Sequence, residues 1–471
     1  MRPTPKNYAI RPVTVPADKV SHMTVLPTER AFLLFEGEEY TLQIMDVNGD
    51  ELNYSDPNCI QTLTLKAHDG VLQFDYCFAE EQEYTIHLIY QEKLLQVLSV
   101  YSLKEDLYAL RPLRGDLHGH SYRSDGKRDP AALAGHYREQ GYDFFALTDH
   151  NRYYPGGEID EVYQNVKMGI CRVRGEEVHT PPSMIHIVHV CGDESVAEQY
   201  LHDRANYEQA RIDYLARVPE SVPQKYAERY AMAMWATDRI HEAGGLAIFP
   251  HPYWRPKNRV YNVNDEFAKI LLTSGMFDAY ELVGGMKQDG VNRSVALWSD
   301  LRAEGLSIPV VGSSDVHGLE KSVDFPDHFT ILFATENTNA GIKQAIKSQM
   351  SVAVEGCGYE YDRQYRCYGN LRLVSYALFL LKHYFPVRER LCQGEGIAMR
   401  AYTMGETDAK TIEHCAKLCE SFADIFFGKR APNLPSAKIR KFEDKWRKTH
   451  IERGPITRGS GIDSDTVSRQ I

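Results

Sequence analysis

The segment GDLHGHSYRSDG, residues 115–126, decides how this chain folds and what it binds. One residue separates His118 from His120, so in a β-strand their side chains point to the same face. A carboxylate, Asp125, follows five residues after the second histidine. Imidazole and carboxylate ligands together suit Zn, Mn or Fe ions. The segment therefore predicts the first part of a metal site, and the alternative is an incidental pair of surface histidines.

Similar patterns recur along the chain from residue 116 to residue 314. Seven short apolar runs alternate there with helix-like segments, which is typical of a parallel βα architecture. Most of the runs carry or precede metal-type residues, in Thr148-Asp149-His150-Asn151, Gly175-Glu176-Glu177, His186 and His189, His251-Pro252, and Ser314-Asp315-Val316-His317. The carboxyl ends of barrel strands meet at one mouth, where active sites are assembled. The sequence therefore predicts an α/β barrel whose mouth collects metal ligands.

Together these motifs resemble the PHP (polymerase and histidinol phosphatase) domain family over residues 112–356, about half of the chain. The resemblance implies a distorted seven-stranded (β/α) barrel with a trinuclear centre of divalent metals, Mn, Zn or Fe, that hydrolyses phosphoesters. It also implies a ligand set, in which His118, His120, Glu177 and Asp315 hold one metal, Asp125, His150 and His317 hold a second, and His186 and His251 hold a third that Glu177 bridges.

Two of these positions have competing residues nearby. His186 is preferred to His189 because it leaves a family-like spacing after Glu177. Glu176 is the weaker choice beside Glu177. A further contender, His179, is interpreted as a residue outside the ligand set or on the surface.

The implied chemistry needs no protein nucleophile, because closely spaced metals polarise a phosphoryl oxygen and lower the pKa of a bound water. Asp315 and His317 are the candidate catalytic residues, since either could move a proton as well as bind metal. Four basic residues near the ligands are candidates for binding a substrate phosphate, with a solvated surface charge as the alternative for each: Arg123, Lys127, Arg152 and Arg255.

The flanking regions have different compositions. Residues 1–111 are rich in strand signals and predict an all-β, sandwich-like domain, whereas residues 357–428 predict a helical region. Residues 429–471 form a basic, partly disordered tail, with ten Lys and Arg against three Asp and Glu between 429 and 458 in a chain of net charge −11. A helix over residues 436–448 is predicted to dock on the body, and attraction of nucleic acid or polyphosphate is the alternative.

The remaining composition predicts a cytoplasmic protein without a membrane partner. The nine cysteines include no Cys-x-x-Cys pair, which is typical of reduced thiols. The first residues lack the apolar segment of a signal peptide, and no apolar run is long enough to span a bilayer. The helical region is expected either to cover one side of the barrel or to form the contact of a homo-oligomer.

The predicted function is that of a metal-dependent hydrolase, favoured as a phosphoesterase. Its substrate is expected to be a phosphorylated small molecule or a short nucleic acid, with a nucleotide or a short 5′-phosphorylated oligonucleotide as the first choice. One alternative is a carboxylic or carbamate ester metallohydrolase, which few basic residues at the mouth would favour. The other is a non-catalytic regulatory or scaffolding protein, against which the full ligand set argues.

Overall fold

The computed structural model describes residues 6–49, 59–258, 260–319, 325–357 and 363–450. The described residues form two compact units, one between residues 109 and 420 and the other combining the residues up to 108 with residues 421–450. Packing thus groups most of the predicted helical region with the barrel and groups the tail with the amino-terminal strands. The four-part division drawn from the sequence stays a prediction, and the disorder expected at the end of the tail lies outside the described residues.

The amino-terminal residues fold as strands arranged in two sheets around one core. The strands are β1 (Tyr8–Arg11), β2 (Thr14–Pro16), β3 (Val20–Pro27), β4 (Glu39–Asp46), β5 (Cys59–Lys66), β6 (Leu72–Cys77), β7 (Glu83–Tyr90) and β8 (Lys93–Leu103). One sheet has the order β1-β3-β6 and the other has the order β2-β8-β7-β4-β5. Alternate residues such as Ile44 and Ile86 of one sheet share a core with Met23 and Val25 of the other, because strand side chains alternate between faces. A short helix, α1 (Glu105–Tyr108), follows.

The unit between residues 109 and 420 contains a ten-stranded sheet that includes all seven predicted strands. These seven are β9 (Arg111–Asp116), β10 (Phe144–Leu147), β11 (Cys171–His179), β12 (His186–Val190), β13 (Leu246–Phe249), β14 (Ala279–Val283) and β15 (Val310–Gly312). The parallel architecture is interrupted at β12, which pairs antiparallel with both β11 and β13. Only six residues connect β11 to β12, which is too short for the crossover that parallel strands need.

Three further strands follow the predicted set, β16 (His328–Ala334), β17 (Ser351–Cys357) and β18 (Gln364–Tyr368). The sheet order is β15-β14-β13-β12-β11-β10-β9-β16-β17-β18. The two sides nearly meet, because the Thr330 hydroxyl accepts from the Gly312 N–H at 2.9 Å and donates to the Gly312 carbonyl at 2.7 Å. The Ser351 hydroxyl likewise donates to the Val310 carbonyl at 2.9 Å. The fold is therefore mixed α/β with a nearly closed sheet, and the prediction of a seven-stranded barrel is not confirmed.

Helices flank this sheet. They are α2 (Pro130–Glu139), α3 (Pro155–Val162), α4 (Ala197–His202), α5 (Arg204–Leu215), α6 (Ala227–Glu242), α7 (Asp265–Thr273), α8 (Gln288–Ala303), α9 (Asn339–Lys347), α10 (Leu371–His383), α11 (Phe385–Thr403) and α12 (Ala409–Phe426). Close packing of α11 on α2 depends on Gly396, since a Cβ there would lie 2.3 Å from the Glu139 nitrogen. A buried ion pair of 2.7 Å between Arg138 and Glu395 joins the same helices. Within the described residues, no helix has the length and apolarity that crossing a bilayer requires.

The basic tail contains a helix, α13 (Ala437–His450). It contacts loops between the amino-terminal strands through ion pairs of Arg440 with Asp69 and of Glu443 with Arg30, the latter at 2.7 Å. The guanidinium of Arg30 also lies 5.0 Å from the ring centroid of Phe442. The tail helix predicted for residues 436–448 is therefore present and docked on the β unit.

Candidate metal centre

The two histidines after β9 are held in place by Asp116, the last residue of that strand. The fully buried Asp116 carboxylate accepts from the His118 N–H at 3.0 Å and from the Tyr137 hydroxyl at 3.0 Å. It also accepts from the backbone N–H and the hydroxyl of Ser314, which precedes Asp315. One buried carboxylate therefore fixes the loops that carry His118 and Asp315 relative to each other.

A second buried carboxylate, Asp149, holds the loop that carries Asp125. It accepts from the Ser121 N–H at 2.8 Å, from the Ser121 hydroxyl at 2.7 Å and from the Ser124 hydroxyl at 2.6 Å. Asp149 lies between the end of β10 and His150. The Thr-Asp-His segment of the sequence thus supplies both a candidate ligand and the anchor for another.

Strand alternation separates the competing residues of β11 and β12. His179 lies opposite His186 in the antiparallel register, and Glu176 lies opposite His189. Because Glu177 and His179 are two residues apart, they share a face with His186, whereas Glu176 and His189 project to the other face. Glu176 is fully engaged there, accepting from the Ser195 hydroxyl at 2.8 Å and from the Val196 N–H at 2.5 Å. The structure therefore brings Glu177 and His186 to the site and places Glu176 and His189 away from it.

His251 and Asp315 both follow strands and both have positive φ angles, 24° and 50°. Gly285, with a φ of 60°, lies against them, since a Cβ there would approach His251 Cδ2 to 2.7 Å and Asp315 Oδ2 to 2.9 Å. Only glycine leaves room for these two side chains at this distance. The Gly-Gly pair after β14 is therefore part of the framework of the site.

The predicted ligands gather in two groups, within each of which the ligand atoms lie within 4.8 Å of one another: a buried group of His118, Glu177, His251 and Asp315, and an outer group of His120, Asp125, His150 and His317. Glu177 is fully buried, whereas the Asp125 side chain is 54% exposed, so the site opens toward solvent at the outer group. Glu177 joins the groups, because its Oε2 lies 2.8 Å from His150 Nδ1 and its Oε1 lies 2.7 Å from His186 Nδ1. All nine predicted ligands are thus brought together.

Charges in the site oppose the effect of burial. Burial would lower the pKa of His118, but the negative charges of Asp315 and Glu177 raise it well above its usual value. Burial likewise opposes a charged His150, yet hydrogen bonds to Asp125 and Glu177 raise its pKa to about 10. Burial would raise the pKa of Asp315, but nearby histidines, His118 first, hold it well below its usual range. Without a bound cation, these charges therefore favour an ionised Asp315 and protonated His118 and His150.

These residues fit divalent metal ions. Buried nitrogens of three of these histidines point at one carboxylate: His118 Nε2 and His150 Nδ1 lie 3.3 Å and 2.8 Å from Glu177 Oε2, and His186 Nδ1 lies 2.7 Å from Glu177 Oε1. Buried charges are paired or coordinate metals, and lone pairs that converge in this way suit a bound cation. Mixed imidazole and carboxylate donors are the ligands of Zn, Mn and Fe.

One functional residue, Glu281 in β14, was absent from the sequence prediction. His118 Nδ1 donates to the buried Glu281 Oε2 at 2.9 Å, which turns His118 Nε2 toward Glu177 and Asp315, each 3.3 Å away. Carboxylates bonded to the far nitrogen of a ligating histidine orient the ring and raise its basicity. The signal for Glu281 was a single carboxylate within an otherwise apolar strand.

Replacing Glu281 by leucine is expected to weaken metal binding by about 10–100-fold, because the His118 N–H would lose its acceptor. Glu281→Gln keeps an acceptor and is expected to have a smaller effect. Competition with a chromophoric chelator measures the affinity. Glu355→Gln removes another buried carboxylate, on β17, which lies 3.3 Å from Arg366 and Tyr368, and is the matched control. Equal affinities for all of these proteins would contradict the orienting role.

The four candidate phosphate-binding residues differ in their availability. Arg123 pairs with Glu158 at 2.8 Å, and Arg255 pairs with Asp289 at 2.6 Å. Lys127 and Arg152 are exposed and have no ion pair among the described residues. Lys127 and Arg152 are therefore the more available of the four candidates for a substrate phosphate.

No protein-family profile matches the chain, and no curated protein is significantly similar to it. Among solved structures, it is similar to a two-domain protein from Bacteroides vulgatus containing a predicted PHP-like metal-dependent phosphoesterase, with 20% identity and a TM-score of 0.36 over 52% of this chain and 65% of that one. A protein from Bifidobacterium adolescentis described as a metal-dependent phosphoesterase gives 17% identity, a TM-score of 0.32 and coverages of 44% and 88%. An amidohydrolase from Chromobacterium violaceum, with bound sulfate and no metal, is 19% identical and gives a TM-score of 0.31, over 45% of this chain and 89% of that one. At these low scores, the similarity carries no argument about activity.

Proposed function

We propose that this protein is a metal-dependent hydrolase, and more particularly a phosphoesterase. The observation that carries the proposal is the convergence of the buried and outer groups on Glu177, whose two carboxylate oxygens face different histidines. A carboxylate placed in this way can bridge two ions. The three ions that the resemblance implies are part of the proposal.

Divalent ions bound there would polarise a phosphoryl oxygen and make hydroxide available near neutral pH. The residues of the chain position these events. His317 is the most exposed histidine of the outer group, at 38%, and its Nε2 lies 3.3 Å from Asp125 Oδ1. We assign to His317 the transfer of a proton from the attacking water to bulk solvent. Asp315 Oδ1 lies 3.7 Å from His317 Nδ1. Substrate would approach at the outer group, where Asp125 is exposed, and not at the buried group, where Glu177 is inaccessible.

A nucleotide or short 5′-phosphorylated oligonucleotide is the proposed substrate, supported by the family resemblance. A second candidate is a carboxylic or carbamate ester. It is favoured by the ion pairs of Arg123 with Glu158 and of Arg255 with Asp289, which leave fewer free cations near the ligands. An ester without a phosphate needs no such cations.

The test is hydrolysis by the Mn-loaded protein of three substrates, a short 5′-phosphorylated RNA, a small phosphate monoester and a carbamate ester. The double variant His118→Ala, Asp315→Ala is the blank. Turnover of either phosphate ester that is absent in the blank supports the proposal. Turnover of the carbamate alone would replace it with the second candidate. No turnover above the blank would favour a non-catalytic protein.

Arg152→Ala is expected to raise KM for a hydrolysed phosphate ester by about 10–100-fold with a smaller effect on kcat, because a charge-assisted hydrogen bond contributes about 1.5–3 kcal/mol. Steady-state kinetics measures the change. Arg204→Ala is the control, since Arg204 lies on α5 with 62% of its side chain exposed. A KM equal to that of the control would remove Arg152 from the proposed phosphate site.

A further inference from the structure

His179 lies inside the candidate metal centre although the family resemblance assigns it no role. It is the last residue of β11 and shares a face with Glu177. Its ring stacks on that of His186, with centroids 3.7 Å apart and an interplanar angle of 18°. The Asn151 side-chain oxygen accepts from the His179 backbone N–H at 2.8 Å. These contacts hold the ring against the predicted ligands.

The free ring nitrogen of His179 points into the site. His179 Nε2 is buried and makes no hydrogen bond within the described chain, and it lies 3.7 Å from Glu177 Oε2. The side chain as a whole is 13% exposed. A buried imidazole nitrogen without a partner is costly, and a cation bound at Glu177 would supply that partner. His179 thus has the same geometric signature as the predicted ligands.

His179, Glu177 and His150 form a third set of donors, whose ligand atoms lie within 4.8 Å of one another. This set overlaps the outer group at His150, whose Nδ1 is 2.8 Å from Glu177 and whose Nε2 is 3.4 Å from Asp125. A neutral imidazole has a single lone pair for a metal. His150 can therefore serve the outer group or the His179 set, but only one of them at a time.

We infer that His179 is a metal ligand, which together with Glu177 and His150 forms a further divalent-cation position that shares His150 with the outer group. This inference rests on the metal-binding part of the proposed function and is independent of the substrate. It adds a tenth donor to the nine that the resemblance carries. It also makes the two positions alternatives for His150, which reaches Glu177 through Nδ1 and Asp125 through Nε2.

The test replaces His179 by cysteine and follows the titration of the metal-free protein with Co²⁺ by absorption spectroscopy. A thiolate bound to Co²⁺ gives a sulfur-to-metal charge-transfer band, which an imidazole ligand does not give. Binding requires the thiol to deprotonate, so the titration is done at mildly alkaline pH. The wild-type spectrum accounts for the native cysteines. The control is His22→Cys, in the other unit, where His22 is 64% exposed and pairs with Asp75.

A charge-transfer band in His179→Cys, and not in the wild type or His22→Cys, supports the inference. Co²⁺ binding by His179→Cys without the band would overturn it and leave the proposed metal centre intact. No Co²⁺ binding by the wild type would overturn both. If His179→Cys does not fold, His179→Ala decides, with circular dichroism as the folding check. Its Co²⁺ affinity should fall by about 10–100-fold, a magnitude typical of lost metal-site contacts, and an unchanged affinity would contradict the inference.

Discussion

Glu177→Gln is expected to lower kcat/KM by about 10³-fold for whichever substrate the protein hydrolyses, and to reduce its metal content. The substitution keeps the size of the side chain and removes its charge. That charge faces His150 Nδ1 at 2.8 Å, His186 Nδ1 at 2.7 Å and further histidines from a fully buried position. Without it, the two groups of donors lose the carboxylate that joins them, and bound cations lose much of their charge compensation.

The neighbouring residue provides the matched control. Glu176→Gln removes an equally buried carboxylate from the opposite face of β11, where it caps the start of α4 and contacts His189. We expect it to lower the free energy of unfolding by about 1–3 kcal/mol while leaving metal content unchanged. Mass spectrometry of bound metals and urea unfolding separate the two effects. Loss of metal from Glu176→Gln, and not from Glu177→Gln, would place the site on the other face of the strand.

Removing metal is expected to make stability depend on pH above neutrality. In the metal-free protein the pKa of His150 is about 10, and the pKa values of His118, His251 and His317 are also raised. Unfolded histidine has a pKa of about 6.5, so between these values the folded state binds more protons than the unfolded state. The free energy of unfolding must then fall as pH rises through this window. His186, whose burial lowers its pKa to about 3, contributes nothing in this range.

The metal-loaded protein is expected to lack this fall, because histidines bound to a cation carry no proton at the ligating nitrogen at either pH. We expect a loss on the order of 3 kcal/mol between about pH 7 and about pH 9 for protein treated with EDTA. The measurement is urea unfolding at both pH values, with EDTA and with excess Mn²⁺. His317→Ala should reduce the loss in EDTA. An identical pH dependence with and without metal would mean that the histidines hold no ion.

All seven strands predicted between residues 116 and 314 are present. Most of them were recognisable as an apolar run that carries or precedes a polar ligand. The strands β16 to β18 carry no such ending, and His328–Ala334 is a buried run without an alternating face. The antiparallel direction of β12 was also unpredictable from its residues, since a strand buried on both faces has the same composition in either direction.

The sequence predicted which residues are candidate metal ligands, but it did not predict how they are arranged in space. The family resemblance implied nine ligands that the structure brings together, but the sequence left Glu176 and His189 as competitors until the strand register separated them. Glu281 stood out only as a lone carboxylate in an apolar strand, and its role could not be assigned because its contact with His118 spans 163 residues. His179 was set aside for a related reason, since only the pairing of β11 with β12 places it beside His186.

The hydroxyls of Thr330 and Ser351 have a consequence for solubility. A strand with one bare side offers its amide and carbonyl groups to any extended segment of another molecule, which is how sheets template aggregation. At β15 the Gly312 amide and carbonyl are both occupied by the Thr330 hydroxyl, and the Val310 carbonyl is occupied by Ser351. These bonds are buried, since Thr330 is fully inaccessible and Ser351 is 4% exposed, so β15 presents no bare edge there to a foreign strand. Thr330→Val would leave the Gly312 amide and carbonyl without this partner, and urea unfolding should show a free energy of unfolding lower by about 1–3 kcal/mol.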